Sequence, residues 1–135
     1  MSRGYGGSAR LILHDEKTII YEYAPFNLNY PDYQNSDHIY DGLITIDRSA
    51  FVESEIHTKL KHFPNGKKKI ITKRIINDVD YSQLISDKKI VVENSRFCWR
   101  ILDKSVGFIA YRIIRKIFTT YQEEEIIPET ISIMS

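Results

Sequence analysis

One stretch of this chain repeats apolar residues at helical spacing over four turns, and it limits the fold more than any other feature. Val106, Ile109, Ala110, Ile113, Ile114, Ile117, Phe118 and Tyr121 fall on one wide stripe, while Arg112, Arg115 and Lys116 fall away from most of it. Such a stripe must be buried against another layer. Ser105 is placed to cap this helix, which runs to about Gln122, fades in Glu123, Glu124 and Glu125, and cannot pass simply through Pro128.

Most other apolar runs are short and β-rich. Ala9–Leu13 and Thr18–Tyr23 predict a hairpin about His14–Lys17, with Ile19, Tyr21 and Tyr23 on one face and Ile20 and Glu22 on the other. Leu43–Asp47 predicts a third strand. Lys67–Ile76 reads as a strand because five of its residues are β-branched. Lys89–Glu93 and Phe97–Leu102 read as another pair, and Thr130–Met134 as an edge strand or a loose end. Two short helices are expected. One is Glu53–His62, with Ile56, Leu60 and Phe63 on a stripe, stopped by Pro64, Asn65 and Gly66; the other is a turn opened by Asp80 and Gln83. The irregular order of elements favours an α+β class: a mixed, mostly antiparallel sheet of about five or six strands with one long C-terminal amphipathic helix. Residues 1–8, rich in glycine, read as a flexible leader, and 9–135 as one domain. With 135 residues, 42% of them hydrophobic and 27% charged, the chain can bury a core under a soluble surface.

Charge is sorted by position. Between Thr18 and Glu55 seven acids face only Arg48, whereas Ile56–Ile76 holds no acid and gathers Lys59, Lys61, Lys67, Lys68, Lys69, Lys73 and Arg74. A local positive field of this kind attracts phosphates or an acidic partner although the formal net charge is +1. The acidic part includes a long connection, residues 24–41, punctuated by Pro, Asn, Asp and Ser and carrying Phe26, Tyr30, Tyr33 and Tyr40. Connections of this length are often functional.

Catalytic and metal motifs are missing from the sequence. The glycines at 4, 6 and 7 precede every strand instead of joining a strand to a helix, so they do not form a phosphate loop. His57 and His62 are five apart, off the four-residue spacing of helical metal pairs. His14 and His38 sit beside Asp15 and Asp37 in turns, and no spacing implies a metal. Cys98 has no partner for a disulfide, which points to a reducing, cytoplasmic setting. Arg96 and Arg100 would share its face and favour a thiolate, yet no histidine is near to serve as base. No apolar run approaches the length of a membrane span.

These features imply a non-enzymatic accessory protein, without cofactor or metal, that binds a protein partner or a second copy through the acidic tyrosine-rich loop (Phe26, Tyr30, Tyr33, Tyr40) and the basic segment. The alternatives are nucleic-acid binding through Lys59–Arg74, and an enzyme whose pocket lies under residues 25–41 with His38, Asp37 or Asp41 converging there.

Overall fold

The computed structural model describes residues 3–53, 55–62 and 64–135. Met1, Ser2, Ser54 and Phe63 lie outside the described residues. The fold is α+β. Five antiparallel strands form the sheet: β1 (Tyr5–His14), β2 (Thr18–Asn27), β3 (Gly42–Asp47), β6 (Ile90–Glu93) and β7 (Thr130–Met134), in the order β6-β3-β2-β1-β7. A second, two-stranded sheet pairs β4 (Glu55–His62) with β5 (Lys68–Ile75), and two helices complete the chain, α1 (Tyr81–Ser86) and α2 (Phe108–Glu124).

Alternation along the strands and the stripe on α2 meet in the core. Ile19, Tyr21 and Tyr23 of β2, with Ile44 and Ile46 of β3, pack beneath Ile109, Ile113, Ile114, Ile117 and Phe118 of α2. The opposite sheet face carries the row Leu13, Ile20, Thr45 and Val91, direct neighbours across four strands, and beside it Arg10 paired with Glu22. An antiparallel sheet tolerates one such open face.

Several elements differ from the sequence reading. The expected leader is strand from Tyr5 onward. Gly6 and Gly7 are buried between β2 and β7, and a Cβ on Gly7 would lie 2.7 Å from Ile109 Cγ2, so glycine is what allows α2 to settle on β1 at this point. Glu55–His62 is a strand, not the expected helix. Ile56 and Leu60 are four apart, a spacing that satisfies both the helical period and the two-residue alternation of a strand, and pairing with Lys68–Ile75 decides between them. Residues 97–102 are irregular and not a strand, with one bridge from Ile101 to Gly107, backbone bonds between Arg100 and Phe108 and between Leu102 and Val106, and Trp99 stacked on Phe108. Here side chains take up backbone groups: Asn94 accepts from the Gly107 N–H at 2.9 Å and donates to the Ser105 carbonyl at 2.8 Å, and Ser95 Oγ accepts from the Phe97 N–H. Ser105, expected as the helix cap, instead adopts a left-handed backbone (φ 61°), and Gly107 precedes the first turn of α2. Asp80 does cap α1, accepting from Gln83 N.

Candidate functional site

The basic segment is a β-hairpin arm. Its register sets Ile56 opposite Arg74, Thr58 opposite Thr72, Leu60 opposite Ile70 and His62 opposite Lys68; the intervening pairs are Glu55–Ile75, His57–Lys73, Lys59–Ile71 and Lys61–Lys69. Directly opposed residues share a face, so lysine positions 59, 61, 69 and 73 fall on one side of the ribbon, and Ile56, Leu60 and Ile70 on the other together with Lys68 and position 74. These three apolar residues are 56%, 47% and 65% exposed. The connecting turn has Gly66 in the left-handed region (φ 81°), and Asn65 Oδ1 accepts from Lys67 N. Eight residues per strand make the ribbon about 26 Å long.

By sequence, residues 55–75 hold seven cations against one acid, net +6, which leaves −5 on the rest of a chain whose total is +1. Lys67, Lys68, Lys69 and Lys73 are exposed. The ion pairs Arg10–Glu22, Lys89–Asp47 and Arg96–Asp41 take none of these four lysines. The charge of these four lysines is therefore presented to solvent.

The root of the arm is held by amides. Gln122 of α2 is 2% exposed; its Oε1 accepts from Asn77 N at 2.6 Å and its Nε2 donates to Asn77 O at 2.9 Å. Asn77 Nδ2 donates to the Glu53 carbonyl at 2.7 Å, tying the chain entering the arm to the chain leaving it. The sequence reading missed this clamp, since a glutamine at the end of an apolar stripe looks like the start of a solvated end.

The four aromatics of the 24–41 connection do not form one surface. Tyr40 lies under the Arg10 guanidinium, 3.7 Å from its ring centroid, and shares a hydrogen bond with the Ser8 hydroxyl. Tyr30 and Tyr33 meet edge to face, with Tyr30 half exposed, and Phe26 lines an open groove of about 330 Å³ with Ser8, Asn35, His38 and Met134. Buried Asn35 pins the connection by donating to the carbonyls of Pro25 and Ile39 and accepting from Ile39 N. Tyr30 and Tyr33 follow Asn27 at one end of β2, whereas the arm departs beyond Asp47, which pairs with Thr18 at the other. Ten residues of β2 separate the two, about 30 Å.

His38, Asp37 and Asp41 do not converge. Asp37 and His38 are exposed, and Asp41 faces away to accept from Ser95 Oγ and pair with Arg96 at 3.2 Å. Cys98 does not gain a thiolate: its thiol donates to the Arg100 carbonyl at 3.3 Å, and burial pushes its pKa up. No group of three metal-ligating side chains gathers among the described residues, and no helix among them is long and apolar enough to cross a membrane. Compared with known proteins, the chain matches no family model, and no curated protein or solved structure matches it.

Proposed function

We propose that this protein binds duplex nucleic acid through the β4–β5 arm. The carrying observation is the separation of charge: a two-stranded ribbon with net +6 stands outside the main sheet, on a body that is net −5. A duplex major groove admits a two-stranded ribbon, and cationic side chains along it contact phosphates on either side. Single strands suit the arm less well, because they are held by aromatic platforms interleaved with cations. The described part of the arm has no Phe, Tyr or Trp. The acidic body disfavours wrapping and confines contact to the arm and its surroundings.

The test is binding of a fluorescent 24-base-pair duplex followed by anisotropy from 50 to 200 mM KCl. Contact with about six phosphates gives a slope of log K against log salt near −5, a loss of about 10³ in affinity over that range. Replacing Lys67, Lys68 and Lys69 together with glutamine lowers the slope by about 3. A salt-insensitive affinity, or none, removes this reading.

A second reading is favoured by three exposed apolar residues on one side of the ribbon. Ile56, Leu60 and Ile70 make an exposed strip, and an isolated hairpin is marginally stable in water, so an acidic protein surface or a second copy of the chain would cover it. Under that reading, Leu60→Ser with Ile70→Ser abolishes association with the partner while duplex affinity stays intact; the lysine variant separates the two in the opposite sense.

A further inference from the structure

The arm is not the sole cationic surface of the molecule. Arg115 and Lys116 of α2 are exposed, and Arg112, one turn earlier, is half-buried, donating to the Ser135 hydroxyl. With Thr119 and Ile133 they line an open groove of about 270 Å³ that contains no carboxylate. None of the ion pairs among the described residues takes these three cations. An adjoining groove of about 460 Å³ has Arg115 and Thr119 on one side and Ile76 and Asn77, the exit from the arm, on the other; Asp78 is its one acid. Arg115 and Thr119 belong to both grooves, so the groove beside the α2 cations continues to the root of the arm.

We infer that Arg112, Arg115 and Lys116 form a second phosphate-contacting site, which holds the sugar–phosphate backbone of the same duplex that the arm engages. This rests on the duplex reading of the arm. A helix rise of 1.5 Å per residue sets Arg112 and Lys116 about 6 Å apart along the axis, so the cations form a short row and not a point. Guanidinium groups suit phosphate oxygens, which accept two parallel N–H bonds from one arginine. The Thr119 hydroxyl supplies a further donor, and the arm root beside it fixes the distance between the two contacts. The protein thus grips the duplex at two places, and the rigid Gln122–Asn77 clamp sets their relative position.

The experiment compares four proteins on the same 24-base-pair duplex between 50 and 300 mM KCl: wild type, the arm variant K67Q/K68Q/K69Q, the helix variant R115Q/K116Q, and the control K17Q/K88Q, which removes two exposed cations elsewhere. Arg112 is left in place because it anchors Ser135. Loss of two phosphate contacts lowers the salt slope by about 1.8, equivalent to about 60-fold in affinity at 0.1 M salt relative to 1 M. The expected result is that drop in the helix variant, with the control slope unchanged. A helix variant that titrates like the control overturns the second site while leaving the arm reading intact. Loss in the helix variant but not in the arm variant removes the arm and, with it, the two-site grip. A wild-type protein that binds no duplex removes both.

Discussion

Gln122 is the side chain on which the position of the arm depends, and replacing it with leucine tests that directly. Leucine nearly preserves the buried volume and removes only the amide. The Asn77 N–H loses an acceptor at 2.6 Å and the Asn77 carbonyl loses a donor at 2.9 Å, both against an apolar side chain that water does not reach easily. Leaving a buried polar group unsatisfied costs about 1–3 kcal/mol, so two partly buried groups that regain some hydration cost about 2–4 kcal/mol together. For a domain of ordinary stability, about 5–15 kcal/mol, that is a large fraction. Urea unfolding measures the loss, and amide hydrogen exchange locates it: Asn77 N–H exchanges faster, and protection within β4 and β5 falls with it because the Asn77–Glu53 bond no longer has a fixed partner. Gln122→Glu adds a discriminating case. A carboxylate still accepts from Asn77 N but opposes the Asn77 carbonyl, so this variant is less stable at pH 7 than at pH 4, where the protonated acid donates. Should Gln122→Leu unfold within 0.5 kcal/mol of wild type, with Asn77 exchange unaltered, the clamp is not what holds the arm.

Gly7→Val drives side-chain atoms into Ile109 Cγ2 and the Ala24 carbonyl, 2.7 and 3.0 Å from an added Cβ, and overpacking of this kind costs about 1–3 kcal/mol in thermal or urea unfolding; a variant as stable as wild type would show that residues 5–8 do not pack as strand. At alkaline pH, burial raises Tyr23 to about 12 and pushes Tyr21 up as well. The stability linked to keeping Tyr23 protonated is complete below the ordinary tyrosine pKa of 10 and is lost as pH rises from 10 to 12, so two tyrosinates appear by absorbance only with unfolding; smooth ionisation of all nine at pH 11 with the fold retained contradicts this. At acid pH the sign reverses. Hydrogen bonds from Lys17 N and Thr18 N hold Asp15 below 3.8, and those from Ser49 hold Asp47 below it, so their contribution is present above 3.8 and lost as pH falls through the lower folded values. D15N/D47N accordingly loses less stability than wild type between pH 5 and 2, and an identical acid limb counts against the assignment.

Periodicity alone determined much of this molecule. The stripe from Val106 to Tyr121 could bury itself only as a helix on a sheet, and the alternation of Ile19, Tyr21 and Tyr23 set the face on which it sits. The basic segment was equally legible, because charge is a property of residue order. Where two periods agree, the sequence is silent: a spacing of four between Ile56 and Leu60 fits helix and strand alike, and only the partner strand at Lys68–Ile75 selects one. At Phe97–Leu102, Ser95 Oγ captured the Phe97 N–H that a strand would have used, a competition decided by local hydrogen-bond geometry. Tertiary structure also turned a glycine-rich beginning into a packed strand, since a missing side chain has value only when another element approaches it. It alone put the tyrosines and the arm at opposite ends of β2 and joined α2's cations to the arm root, because distance between residues remote in sequence is set by how the layers stack.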